Sequence, residues 1–355
     1  MNITKASSKK AHIPGSNTLD SIETSREIKT SMKNVFISLL SALLLLTSCN
    51  RDSPNRTSLT HDIIITDVNI IDVASGDILA DRTVGINGER ILKIYKSNDK
   101  SLTSSITVNG KNKFLIPGLW DMHIHYYWNY KDSAPYLVAN GIVGVREMFG
   151  KMDAVVEMKS LMDNGSLLGP EIFSSGAIID GPEPVWPGSD KVANAEDANR
   201  VVKEQLAQGV DFLKVYSRLS RESYLTIARL AEQNKINFAG HIPQKVTFWE
   251  AIANNQKSIE HNTGILEAAS FKADSIYEYY QNTTASNASW RAEMFHLLAD
   301  TYSEKRMDSL ISVLSSSNTW LCPTMVVMRG MAYNRDSTMV NDARQDNLPG
   351  YISRL

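Results

Sequence analysis

Cysteine is nearly absent from this 355-residue chain: Cys49 and Cys322 are the two it has, too few and too far apart for a disulfide framework. Charge of one sign is lacking as well. Lys and Arg number 37 against 39 Asp and Glu, a formal net charge of -2, so no basic surface is available for a phosphate backbone and nucleic-acid partners are not expected. Long hydrophobic runs are missing too. The longest, Val35 to Leu46, falls short of the roughly 20 residues of a membrane-spanning helix. No internal repeat or low-complexity tract stands out.

What is present is a hydrophobic content of 43% over a length that can bury a full-sized core, enough for one large domain beside a small one. The N-terminus carries a targeting pattern. Met32-Lys33-Asn34 gives a basic start to the apolar run, and Leu46-Thr47-Ser48-Cys49 closes it with small residues, the plan of a secretory signal peptide. Cys49 directly after Leu-Thr-Ser resembles the bacterial lipoprotein signal, which implies lipidation at Cys49 and a lipid-anchored place in the cell envelope, with that anchor as the only membrane contact. An ordinary signal peptide with an incidental cysteine is the alternative. Residues 1–31 then read as a non-native or disordered leader, 32–49 as the signal, and 50–61 as a tether.

From Asp62 the sequence becomes β-branched and partly alternating. Short strands are expected at 62–73, 82–86 and 91–95, and a further pair at 105–108 and 113–116 around the turn Asn109-Gly110. This makes residues 62–116 a small all-β domain. After Pro117 strand-like runs alternate with helical ones: strands at 118–122, 142–145, 171–174, 211–215, 237–239, 257–259 and 319–321, with amphipathic segments such as 152–162, 195–208, 220–233, 246–254 and 303–315 between them. That texture predicts parallel βα units over 117–355, seven strands where a closed (β/α)8 TIM-type barrel has eight. The stretch from about 265 to 300 is too long for a loop and predicts inserted helices over the site.

The chemistry is carried by five residues at strand ends. In Asp121-Met122-His123-Ile124-His125 the two-residue spacing turns both imidazoles of a strand to one side. Lys214 interrupts Phe212-Leu213-Lys214-Val215, His241 ends Phe238-Ala239-Gly240-His241, and His261 ends Ser258-Ile259-Glu260-His261. The C-terminal strand ends are where a βα barrel gathers its active site. A buried bare ammonium is costly, and burial lowers a lysine pKa; addition of carbon dioxide to the neutral amine of Lys214 gives a carbamate, able to bridge two cations. The plain alternatives are core histidines and a lysine that reaches solvent at a strand edge. Imidazole and carboxylate-like ligands suit zinc and similar cations, which act as Lewis acids and generate hydroxide at neutral pH.

The sequence from Asp62 onward resembles the amidohydrolase superfamily, in its imidazolonepropionase-like and Xaa-Pro dipeptidase-like branch. The likeness is carried by Pro117-Gly118 leading to His123-x-His125, by Lys214, His241 and His261, and by Gly141-Ile142-Val143-Gly144-Val145-Arg146-Glu147. It implies a TIM-type barrel beside a small β-sandwich. It also implies His123 and His125 on one zinc, His241 and His261 on a second, a carbamylated Lys214 between them, and hydrolysis of a C–N bond in a small amide, dipeptide or cyclic amide. Tyr126, Arg146 and Tyr216 are substrate-binding candidates, although packing roles suit them equally; Asp121 is expected to be structural. The family's aspartate after an eighth strand has no counterpart: Asp336, Asp342 and Asp346 follow no apolar strand, so the chain reads as C-terminally truncated. A remnant that binds metal or a partner without turnover is the competing reading, and homo-oligomers are compatible with either.

Overall fold

The computed structural model describes residues 59–96, 101–125, 129–283, 288–333, 335–341 and 343, with backbone alone at 288–291 and 339–340. The expected leader, the signal segment with Cys49, residues 50–58 of the tether, Tyr126, Asp342 and Asp346 lie outside the described residues. The chain divides into two compact units, Met1–Ile116 and Pro117–Leu355.

In the first unit the described residues form one five-stranded sheet, ordered β3-β2-β1-β4 with β5 also on β1. Its strands are β1 (Leu59–Ile71), β2 (Ile78–Asn87), β3 (Arg90–Lys96), β4 (Leu102–Asn109) and β5 (Phe114–Leu115). The first strand begins at Leu59, inside the segment read as tether. β1–β2 and β2–β3 are antiparallel hairpins. The expected pairing of 105–108 with 113–116 is not formed. Instead β4 runs parallel to Leu59–Thr66 and β5 parallel to Asn69–Ile70, one after the other along β1. The reason is local: β1 carries an irregularity between Ile65 and Val68, and the Asn109-Gly110 turn steps over it. Gly110 donates its N–H to Thr66 O at 2.7 Å, and a Cβ there would stand 2.6 Å from Val68 Cβ, so only glycine fits the approach. His61 is buried, bonded through Nδ1 to Asn87 Oδ1 and through Nε2 to the Tyr95 hydroxyl, both at 2.8 Å.

The second unit is built of parallel strands and helices. β6 (Leu119–Ile124), β7 (Ile142–Glu147) and β8 (Glu171–Ser174) form a three-stranded sheet. A six-stranded sheet follows in the order β10-β9-β11-β12-β13-β14. It comprises β9 (Ile178–Asp180), β10 (Asp190–Lys191), β11 (Leu213–Val215), β12 (Phe238–Gly240), β13 (Ser258–Glu260) and β14 (Trp320–Cys322). Every ladder in both sheets is parallel. The seven strands expected from sequence are present within a few residues; β9 and β10, of three and two residues, were too short to give a period.

Helices fill the intervals, and their caps are written in the sequence. Asn194, Ser220 and Thr247 accept backbone N–H bonds at the starts of Ala195–Ala207, Arg221–Gln233 and Phe248–Ala253, each worth about 1 kcal/mol. Thr247 and Glu250 make a reciprocal capping box. The 265–300 stretch is helical as expected, in three pieces: Ile265–Ala269, Ala273–Asn282 and Ala288–Asp300. Apolar faces of Ala195–Ala207, Arg221–Gln233, Phe248–Ala253 and Ile265–Ala269 and one face of β11–β13 merge into one core around Leu213, Val215, Tyr224, Ile227, Phe248 and Ile259. A smaller core around Val145, Val155, Met158 and Ile172 supports the three-stranded sheet.

Candidate metal centre

Each central strand delivers one chemistry-bearing residue to its C-terminal end. Lys214 sits in β11, in register with Ala239 of β12, and is 1% exposed. The solvent-reaching alternative for this lysine is thereby removed. His241 follows β12 after Gly240, whose φ is +128°; a Cβ on Gly240 would stand 2.1 Å from Val215 O, so glycine is required for the strand end to turn toward β11. His261 follows β13 and, with Asn262, holds left-handed φ values of 57° and 56°. Two adjacent non-glycine residues in that region store backbone strain of the kind found at functional sites.

The structure brings the four histidines together. Ring centroids are 5.1 Å apart for His123 and His125, 4.5 Å for His123 and His261, and 5.1 Å for His241 and His261. The Nε2 atoms of His123 and His125 stand 3.2 Å apart. Three of the rings are oriented from behind through Nδ1. His123 donates to Glu260 Oε2 at 2.7 Å. His261 lies 2.6 Å from Thr324 Oγ1, and because that hydroxyl donates to Pro323 O the imidazole is the donor. Ser217 Oγ is 2.8 Å from His241 Nδ1. This is the back-side hydrogen bonding that fixes ring and tautomer in metal-binding histidines. Two ring nitrogens remain as buried atoms without a hydrogen-bond partner among the described residues: His241 Nε2 and His125 Nδ1, the latter 3.6 Å from Glu147 Oε1. Buried polar atoms are almost always paired. A Lewis-acidic cation satisfies such lone pairs, so the donor set fits a divalent metal.

Protonation agrees with that chemistry. Burial lowers His123, keeps His241 well below the usual histidine range and holds His261 down to about 4, with neighbouring positive groups adding to it. All three are neutral donors at pH 7. Burial also pushes the Lys214 amine down to about 7, against the pull of Glu260 and Glu147. Glu260 is fully buried; burial works to raise its carboxyl, yet the His123 hydrogen bond and the Arg146 charge outweigh it and hold it at about 2.

Sequence reasoning missed Glu260, the hub of the site. Besides His123 it binds the Arg146 guanidinium at 2.5 Å and the Ser258 hydroxyl at 2.5 Å. Arg146 therefore holds a carboxylate, as its fork geometry suits, but it is the protein's own. Its other nitrogens donate to Ser258 Oγ and Met122 O, leaving it 9% exposed. Tyr216 is also occupied by the protein: it stacks on His241 at 3.8 Å, and its hydroxyl accepts the Trp186 indole N–H at 2.8 Å. Asp121 accepts the His123 backbone N–H, the structural role expected of it. Cys322, whose thiol sits within 4.8 Å of the His123 and Glu260 donor atoms, is pushed up to about 12 by burial and by Glu260, so it stays protonated. The only signal for Glu260 in sequence was its place beside His261, inward on the same strand as Ser258.

No family model matches the chain. By sequence it is similar to the adenine deaminase of Staphylothermus marinus, 26% identical over 51% of this chain and 32% of the relative. It is also similar to the ochratoxinase of Aspergillus niger, 24% identical over 41% of this chain and 43% of the relative. The chain thus spans less than half the length of these curated relatives. Among solved structures it shares its fold with a bottromycin amidohydrolase, at TM-score 0.57, 20% identity and coverage of 82% of this chain and 58% of that one. A Xaa-Pro dipeptidase with bound methionine gives TM-score 0.51 at 16% identity, covering 74% of this chain and 79% of that one.

Proposed function

We propose, for a chain that belongs to the amidohydrolase superfamily on its Xaa-Pro dipeptidase-like side, a metal-dependent hydrolase of C–N bonds in small amides or dipeptides. The observation that supports this most is the buried His241 Nε2, a ring nitrogen with no hydrogen-bond partner among the described residues, within a cluster whose His123, His241 and His261 rings are braced through Nδ1. His123, His125, Lys214, His241 and His261 are the residues that would hold the metal, with two zinc ions as the proposed occupancy. A divalent cation supplies Lewis acidity and makes water a usable nucleophile near pH 7.

The chain's own residues do the rest. Glu260 fixes the His123 tautomer, and Arg146 neutralises Glu260 within the core. Lys214, with its amine lowered to about 7, is poised to add to carbon dioxide; the new N–C bond forms as the amine loses a proton to solvent, giving the bridging carbamate of this proposal. Tyr216 keeps His241 in place by stacking and is itself held by Trp186.

The TIM-type barrel and β-sandwich belong to the same proposal. Parallel βα units support the barrel. The exposed Ile91, Ile94, Ile106 and Val108 of the first sheet are apolar surface of the kind a second sheet layer covers. A lipid anchor at Cys49 and an envelope location stay proposed on the N-terminal pattern alone.

The test is amine release from a panel of N-acyl amino acids, dipeptides and cyclic amides by the full chain loaded with zinc. Turnover that disappears with chelator and in His241→Ala supports the hydrolase. Bound zinc without turnover of any member supports the binding-only reading instead.

A further inference from the structure

A cavity of about 150 Å³ opens beside the histidine cluster. Its near wall is made by the residues that follow the cluster: Ile242, Pro243 and Gln244 after His241, and Thr263 and Gly264 after His261. The two loops are stitched together by Ile242 N–H to Thr263 Oγ1 at 3.0 Å. Ser217, which also lines the cavity, bonds His241 Nδ1. The far wall comes from the inserted helices, through Tyr277, Tyr280, Met294, Phe295 and Leu298. Whatever enters this space lies against the loops that carry two of the proposed ligands.

Size and charge select the occupant. An apolar cavity of about 150 Å³ is known to accept a benzene ring, and this lining is mostly aliphatic, aromatic and methionine. Glu267 is its one ionisable acid, and among the described residues lining it there is no lysine, arginine or histidine. Tyr280 donates its hydroxyl toward Glu267 Oε1 at 3.4 Å, and burial raises the Glu267 carboxyl. A second carboxylate brought here would meet a desolvated acid and no cation, a costly combination.

We propose that this cavity is the subsite for an uncharged aromatic ring of the substrate, about the size of a phenol, and that it refuses rings bearing a carboxylate. The word substrate rests on the hydrolase reading above; the ring site itself rests on the cavity. Met294 and Phe295 set the gauge of its far wall from the helix Ala288–Asp300, well away from the histidines in sequence.

The experiment is binding of p-cresol to the full chain by ligand-observed NMR, with Met294→Trp to fill the cavity and Phe295→Ala to open it. Circular dichroism checks that both variants fold; Phe295 is 64% exposed, so that variant keeps the test alive if the tryptophan is not tolerated. Binding to the wild type that weakens about tenfold or more in either variant is expected, as is much weaker binding of 4-hydroxyphenylacetate. No p-cresol binding, or binding unchanged in both folded variants, overturns the ring site; equal binding of the carboxylate analogue overturns its charge rule. If p-cresol binds and is blocked as expected while no amide is hydrolysed, the hydrolase reading fails and the ring site stands. If amides are hydrolysed, Met294→Trp lowers kcat/KM for tyrosine-bearing amides and spares their alanine counterparts; equal losses on both overturn the subsite.

Discussion

The central strands β11, β12 and β13 and the flanking strands β6 and β14 contribute to one histidine cluster on very different terms. Every residue of the three central strands is buried, and Lys214, His241 and His261 emerge from a core that fixes their backbone. β6, which carries His123 and leads into His125, is largely exposed or half-buried, as is β14; Trp120 and Trp320 are 45% and 70% exposed. The first group is positioned by packing and the second by polar contacts across the molecule, above all His123 to Glu260 and Arg146 to Met122 O. A site can therefore be rigid on one side through burial and held on the other by a few charged hydrogen bonds.

Breaking the packed side should cost most. Phe248→Ala, at a fully buried position in the core behind β12 and β13, is expected to lose about 3–5 kcal/mol in urea unfolding. Removing the polar link comes next. Glu260→Gln leaves Arg146 buried without its anion, expected to cost about 3 kcal/mol, and it should also loosen His123, seen as a changed imidazole NMR signal. A loss under about 1 kcal/mol would mean the link is no more than a surface-type ion pair.

Smaller effects sharpen the contrast. Thr247→Ala removes the capping box of Phe248–Ala253 and is expected to cost about 1 kcal/mol. Its cost should shrink at acid pH. Burial works to raise the Glu250 carboxyl, but the Thr247 N–H and hydroxyl and Arg221 outweigh it and leave the group lowered. A group lowered in the folded state stabilises above its unfolded pKa and loses that contribution as pH falls through the folded one, so melts of the variant and wild type should converge below the usual glutamate range. At the exposed side, Trp320→Thr is expected to change stability by no more than about 0.5 kcal/mol. Hydrogen exchange would read the same contrast amide by amide, with β6 and β14 exchanging through local opening and β11–β13 only with global unfolding.

The same division governs what the sequence made legible. Strand ends in βα texture, His-x-His at two-residue spacing and a lysine inside an apolar strand pointed to residues that the structure does bring together, because strand phase is a local property. Polar partners across sheets are not. Nothing local says that Glu260 reaches His123 from 137 residues away, that Arg146 is consumed by the same carboxylate, or that Trp186 holds Tyr216. Short β9 and β10 escaped for want of length. The parallel placement of β4 and β5 along β1 escaped because Asn109-Gly110, an ordinary hairpin signal, here steps over an irregularity in the partner strand.

Whether the cluster is a metal centre is read from zinc content per chain after loading and exhaustive dialysis, measured by plasma mass spectrometry on wild type and His241→Ala. Zinc is expected to stay with the wild type and to be clearly less in the variant. A wild type that retains none, or a variant that retains as much, would contradict a metal centre there.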